Sequence, residues 1–137
     1  MKIRLIDHVI IRFISVGCLN MLSSMITIYL CLKVLSFSDA LSNMLGYGVG
    51  LTLSYTLNSR FTFRYKGDWK KSIVRFLLVV IIAYACNLLV VLAVIEYTPV
   101  DQYLAHWTGI PVYTVVFFIG SRYFAFREGA TIDATVR

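Results

Sequence analysis

An all-α integral membrane protein is predicted, with four transmembrane helices built as two parallel two-helix repeats and both termini in the cytoplasm. Three features predict it: long uncharged apolar runs, basic residues confined to one side, and an internal match at an offset of 63 residues (Arg12 to Arg75). Of the 137 residues 59% are apolar and 15% charged, and the mean hydropathy is +0.78. A soluble domain of this length carries more charge and cannot hide so much apolar surface.

Residues 1–12 place Arg4, His8 and Arg12 on one helical face and Ile3, Ile6 and Ile10 on another, the pattern of an interfacial helix. The uncharged runs follow at 13–32, 40–59, 76–95 and about 109–121. A helix crossing the hydrocarbon core needs about 20 such residues. The fourth run reaches that length if Arg122 snorkels and Tyr123 to Phe126 complete the span. The first is too long for a cleaved signal peptide and has no small-x-small site after it. Ser38 and Asp39 suit the cap of the second helix, and Pro111 the first turn of the fourth. Residues 128–137 read as a flexible tail, so that 1–137 is a single membrane domain with repeats at about 12–64 and 75–127.

Twelve basic residues fall at the N-terminus, the central loop and the C-terminus, and only Lys33 on the other side, with Asp39, Glu96 and Asp101. The positive-inside rule then places both termini and the 60–75 loop in the cytoplasm. The net charge of +6 follows from this topology and from contact with anionic membrane lipids, not from nucleic acid. Sliding the chain by the same offset also sets Phe13 on Phe76, Val16 on Val79, Gly46 on Gly109, and Phe61, Phe63 and Arg64 on Phe124, Phe126 and Arg127. Each repeat crosses twice, so the copies share one orientation, as in parallel-repeat transporters.

Several chemistries are absent. Cys18, Cys31 and Cys86 form no CxxC pair and read as packing residues; His8 and His106 stand alone, so no metal site or cofactor is expected. No nucleotide-binding glycine loop, HExxH or Ser-His-Asp set is present, and no enzyme is inferred. No Asp or Glu lies within an expected span, which argues against proton-coupled export.

Ser42, Gly46, Gly50, Ser54 and Asn58 recur every fourth residue along one face. Gly46, Gly50 and Ser54 on that face suit close helix packing. Asn20, Asn43, Asn58 and Asn87, with Tyr47, bring amides and a phenol to membrane depth. They serve either interhelical hydrogen bonds, of roughly 1 kcal/mol or less each, or a polar seam for sugar hydroxyls; residue chemistry leaves both open. Arg12, Arg60, Arg75 and Arg122 stand at helix ends in equivalent places of the repeats, where guanidinium groups can fork onto phosphate oxygens. The string RFTFRYKGDWKKSIVR around them also fits an aromatic belt with topogenic charges.

With "RFISVG" (12–17), "SYTLNSRFTF" (54–63), "RF" (75–76) and "GSRYFAF" (120–126), the chain resembles the GtrA-like family of small polytopic membrane proteins over about residues 9–127. It departs at Ser54-Tyr55, where an Asn-aromatic pair is expected, and at Phe61, where Trp is usual. The resemblance implies flipping of a polyprenyl-phosphate-linked sugar, such as undecaprenyl phosphate-glucose, across the bacterial cytoplasmic (inner) membrane. Transport is then passive, between membrane glycosyltransferases that make the lipid inside and use it outside to modify cell-surface polysaccharide such as O-antigen. Some relatives are instead regarded as non-enzymatic anchors or scaffolds for such a glycosyltransferase. On the flippase reading the four arginines hold the lipid phosphate and the amides with Tyr47 line the sugar path. Four helices make a thin wall around a hexose, so a homodimer or larger assembly is expected.

Overall fold

The computed structural model describes residues 2–127, and the expected tail at 128–137 lies outside them. The described residues are helical with short connections: α1 (Lys2–Lys33), α2 (Asp39–Leu57), α3 (Trp69–Tyr97) and α4 (Gln102–Gly120). A π-helical turn extends α2 through Asn58–Thr62, and another extends α4 through Ser121–Ala125. The chain divides into two compact units, Met1–Arg64 and Tyr65–Arg137.

In the first unit α1 and α2 run antiparallel. Gly46 lies against Ser24 and Ile28, Gly50 against Asn20 and Ser24, and Phe63 against Phe13, so α1 is read backwards as α2 advances. The connection is set by local chemistry. Ser36 takes φ 53, and Phe37 N–H then donates to the Cys31 carbonyl at 2.9 Å. Ser38 caps α2, its Oγ accepting from Leu41 N–H at 3.4 Å, while Asp39 puts negative charge beside the positive helix end. The segment read as an interfacial helix is, from Lys2 onward, the unbroken start of α1.

The second unit repeats the antiparallel arrangement: Gly109 lies against Asn87 and Val91, Gly120 against Val79, and Phe126 against Phe76. Asp68 caps α3, its carboxylate accepting from Lys70 N–H at 2.9 Å. α4 begins earlier than the sequence reading placed it. Residues 102–108 are also free of charge, and Ala105 N–H donates to the Asp101 carbonyl at 3.0 Å to form the first turn. Pro111 is therefore well inside the helix, not in its first turn. Its missing N–H leaves the Trp107 carbonyl without its helical donor, a defect that membrane helices accommodate.

Apolar side chains point outward. Leu89 is 67% and Ile81 63% exposed, while Ser42, Ser72 and Ser121 are fully buried. Lipid favours this inverted pattern, because apolar groups gain nothing by leaving it and polar groups do. Among the described residues, His8–Lys33, Trp69–Tyr97 and Leu104–Ala125 are long and apolar enough to cross a membrane. α2 is not among them, since Ser42, Asn43, Gly46, Gly48, Gly50, Thr52, Ser54 and Thr56 dilute its apolar content.

Candidate functional site

The basic residues singled out by sequence stand where each helix pair carries its π-helical turn. In the first unit Phe63 N–H donates to the Asn58 carbonyl at 2.8 Å, five residues back. In the second Phe126 N–H donates to the Ser121 carbonyl at 2.9 Å. Such a turn holds one more residue than an α turn, so the side chains after it are carried round by about 100°. The first turn consequently buries Asn58, Ser59 and Thr62 and leaves Arg60 and Phe61 exposed.

Each turn meets the arginine-phenylalanine pair of the facing helix. The Arg12 guanidinium lies 5.1 Å from the Phe61 ring centre, and the Phe13 ring 6.3 Å from that of Phe63. In the second unit Arg75 lies 6.0 Å from Phe124, and Phe76 6.1 Å from Phe126. Arg122 lies 5.5 Å over the ring of Tyr123. Arg12, Arg75 and Arg122 are half-buried and Arg60 exposed. Arg12 and Arg60 thus share one end of the first helix pair, and Arg75 and Arg122 one end of the second.

The stripe on α2 faces α1, with Ser42, Gly46, Gly50, Ser54 and Asn58 all buried. A Cβ on Gly50 would collide with Ser24 Oγ and come within 2.8 Å of Asn20 Oδ1; one on Gly46 would collide with Ile28. The Asn58 side-chain amide donates to Ser54 Oγ at 3.2 Å. Asn58 Oδ1, Asn20 Oδ1, Ser42 Oγ and Thr62 Oγ1 are buried without a hydrogen-bond partner.

The amides grouped by sequence occupy three different surroundings. Asn20 and Asn58 sit within the first helix pair. Asn43 and Tyr47 stand on the exposed face of α2, where Asn43 donates to the Asp39 carbonyl at 2.9 Å and Tyr47 is 69% exposed. Asn87 packs over Gly109 in the second unit. Sequence reasoning did not find the rings under Arg12 and Arg75, nor the burial of Ser59 and Thr62. The signal for the rings was present, because Arg12, Phe61, Arg75 and Phe124 are all matched by the internal offset.

The model of the family described as GtrA/DPMS, transmembrane domain, matches residues 12–126, from the first of these arginines to the last of these rings. The chain belongs to the GtrA/DPMS transmembrane-domain family. It is a multi-pass membrane protein. The chain is similar to two cell wall teichoic acid glycosylation proteins GtcA of Listeria monocytogenes, one of them from serovar 1/2a strain EGD-e. They are 23% and 25% identical over 125 residues, covering 88% of this chain and 86% of each relative. No solved structure matches the chain.

Proposed function

We propose that this protein flips a polyprenyl-phosphate-linked sugar across the bacterial cytoplasmic membrane, passively and without catalysis, for transfer to a cell-surface polymer. The observation that carries this reading is the recurrence of a half-buried arginine held over a phenylalanine at the π-turn end of each unit. Arg12, Arg60, Arg75 and Arg122 hold the lipid phosphate, since guanidinium forks match phosphate oxygens. The naming of the Listeria relatives for teichoic acid glycosylation supports a carrier-linked sugar as cargo.

In this reading α2 is the fourth span: with its π turn it is helical from Asp39 to Thr62, long enough at about 1.5 Å per residue. The two units are copies of one hairpin, which the equivalent ring pairs and π turns support. Both termini and the 60–75 loop lie in the cytoplasm, where Arg60, Lys66, Lys70 and Lys71 meet anionic headgroups. Asn20, Asn43, Tyr47, Asn58 and Asn87 are the groups proposed for the sugar: Asn43 and Tyr47 are exposed as they stand, whereas the buried acceptors of Asn20 and Asn58 are reached only when α1 and α2 part. The sugar path is completed by a homo-oligomer, and membrane glycosyltransferases supply and consume the lipid.

Vesicles reconstituted with the purified protein and labelled polyprenyl phosphate-glucose in one leaflet test the proposal. Exchange well above that of empty vesicles, lost in Arg12→Gln with Arg75→Gln, is the expected result; exchange at the empty-vesicle rate refutes transport. The exposed Trp69-Lys70-Lys71 surface favours a second reading, a scaffold for a glycosyltransferase. There, charge reversal at Lys70 and Lys71 abolishes recovery of the enzyme complex while the arginine variants leave glycosylation intact.

A further inference from the structure

We infer, resting on the transport role proposed above, that the first helix pair is the part of the protein that opens. α1 and α2 separate along the buried face of α2 and its π turn, and Ser42 and Thr62 then join Asn20 and Asn58 in meeting sugar hydroxyls. That face runs Ser42, Gly46, Gly50, Ser54, Asn58 and Thr62, every fourth residue. Ser42, Asn58 and Thr62 are 0%, 1% and 2% exposed, and each holds a side-chain oxygen without a hydrogen-bond partner. On α1, Asn20 Oδ1 is another such atom, 2.8 Å from where a Gly50 Cβ would stand.

Helical geometry alone does not leave such atoms unpaired. A serine or threonine hydroxyl in a helix can donate to the carbonyl four residues back. On the exposed face of α2, Thr52 and Thr56 do so, to Gly48 and Thr52, at 2.8 Å each. The buried hydroxyls of Ser42 and Thr62 make no such bond. At Thr62 the π turn has given the Asn58 carbonyl, four residues back, to Phe63 N–H. An oxygen buried without a partner is costly, and the cost ends once water or a sugar hydroxyl reaches it. Cargo hydroxyls therefore bind the separated pair better than the closed one and shift the balance toward it. The second unit is closed by rings instead, Phe76 on Phe117 at 5.6 Å and Phe117 on Tyr113 at 5.5 Å, and serves as the shut reference.

The test uses the full-length chain in nanodiscs, with Cys18, Cys31 and Cys86 replaced by alanine, and a water-soluble maleimide. Ser54 is 6% and Val79 of the second unit 4% exposed, so neither position is labelled while its pair stays closed. Labelling of Ser54→Cys about tenfold faster than of Val79→Cys is expected, since the rate follows the open population. Equal rates overturn the inference, whatever the transport assay gives. In vesicles, Ile28→Cys with Gly46→Cys can lock the pair, because the Ile28 side chain lies where a Gly46 Cβ would stand. Oxidation should cut leaflet exchange of labelled prenyl phosphate-glucose to about a tenth or less, and reductant should restore it. Undiminished exchange in the oxidised pair overturns the inference and leaves transport standing. Exchange at the empty-vesicle rate in the wild type removes transport and the sugar role of Ser42 and Thr62, while the maleimide still decides whether the helices separate. Ser42→Ala with Thr62→Val should raise the unfolding temperature yet slow exchange about threefold to tenfold, a combination that a merely structural role does not give. Should the locked pair fail to fold, this variant decides: wild-type exchange in it overturns the inference.

Discussion

At mid-depth the first helix pair sets Asn20 and Ser24 of α1 against Gly50 of α2. At the matching level the second pair has Ala83 and Asn87 on α3 and Tyr113 on α4. The second unit also sets an amide over a glycine, Asn87 over Gly109, but carries Ala83 and Tyr113 where the first has Asn20 and Gly50. Farther along, Ser54 and Asn58 correspond to Phe117 and Ser121. Tyr113 and Phe117 stack at 5.5 Å with their planes 22° apart, and Phe117 meets Phe76 edge-on at 5.6 Å. Among the described residues the first interface holds four buried polar atoms without partners and the second only Ser121 Oγ. Two hairpins of like outline thus differ in how polar and how aromatic their interfaces are. Unsatisfied polar atoms are costly in an apolar surrounding, and that cost falls on the first unit.

The largest expected effect sharpens this contrast. Phe117→Ala should remove about 3–5 kcal/mol from the second unit, because a buried ring leaves a cavity. Ser54→Ala at the matching position should remove only about 1 kcal/mol, the acceptor of the Asn58 amide. Denaturant unfolding in nanodiscs compares them, and equal losses would show that the two interiors are energetically alike.

A double-mutant cycle addresses the difference at positions 20 and 50. Gly50→Tyr alone should destabilise, since even a Cβ there meets both Ser24 Oγ and Asn20 Oδ1. Adding Asn20→Ala recreates the Ala83 and Tyr113 combination and should recover about 1–3 kcal/mol of coupling. Strict additivity would break the claim that these positions form one packing unit.

The smallest effect lies beyond the π turns. Arg64 takes φ 50 after the first turn, whereas Arg127, which follows the second, is not among the described residues with positive φ. Left-handed backbone is unfavourable for a residue with a Cβ, so Arg64→Gly should stabilise by about 0.5 kcal/mol and Arg127→Gly should not. Thermal unfolding of the two variants checks this.

Several features were legible before any coordinates. Charge-free runs, the Ser38 cap and the four-residue spacing of Ser42, Gly46, Gly50, Ser54 and Asn58 follow from local composition and helical periodicity, which a linear string records directly. Legibility stopped where neighbours in space decide. Pro111 suits a first turn and so points to a later start for the fourth helix than the structure has, although the uncharged residues before it allow the earlier first turn. The amides looked alike in sequence, yet helix rotation put Asn43 and Tyr47 outside and Asn58 inside.

The sequence by itself determined that this chain is helical, membrane-embedded and basic at particular helix ends, since hydropathy and charge are properties of single residues summed along the chain. Only the tertiary structure decided which rings lie beneath Arg12 and Arg75, where helices widen into π turns, and which polar atoms go unpaired. Those outcomes depend on the facing helix, whose distance and rotation are fixed by packing rather than by any one residue's preference.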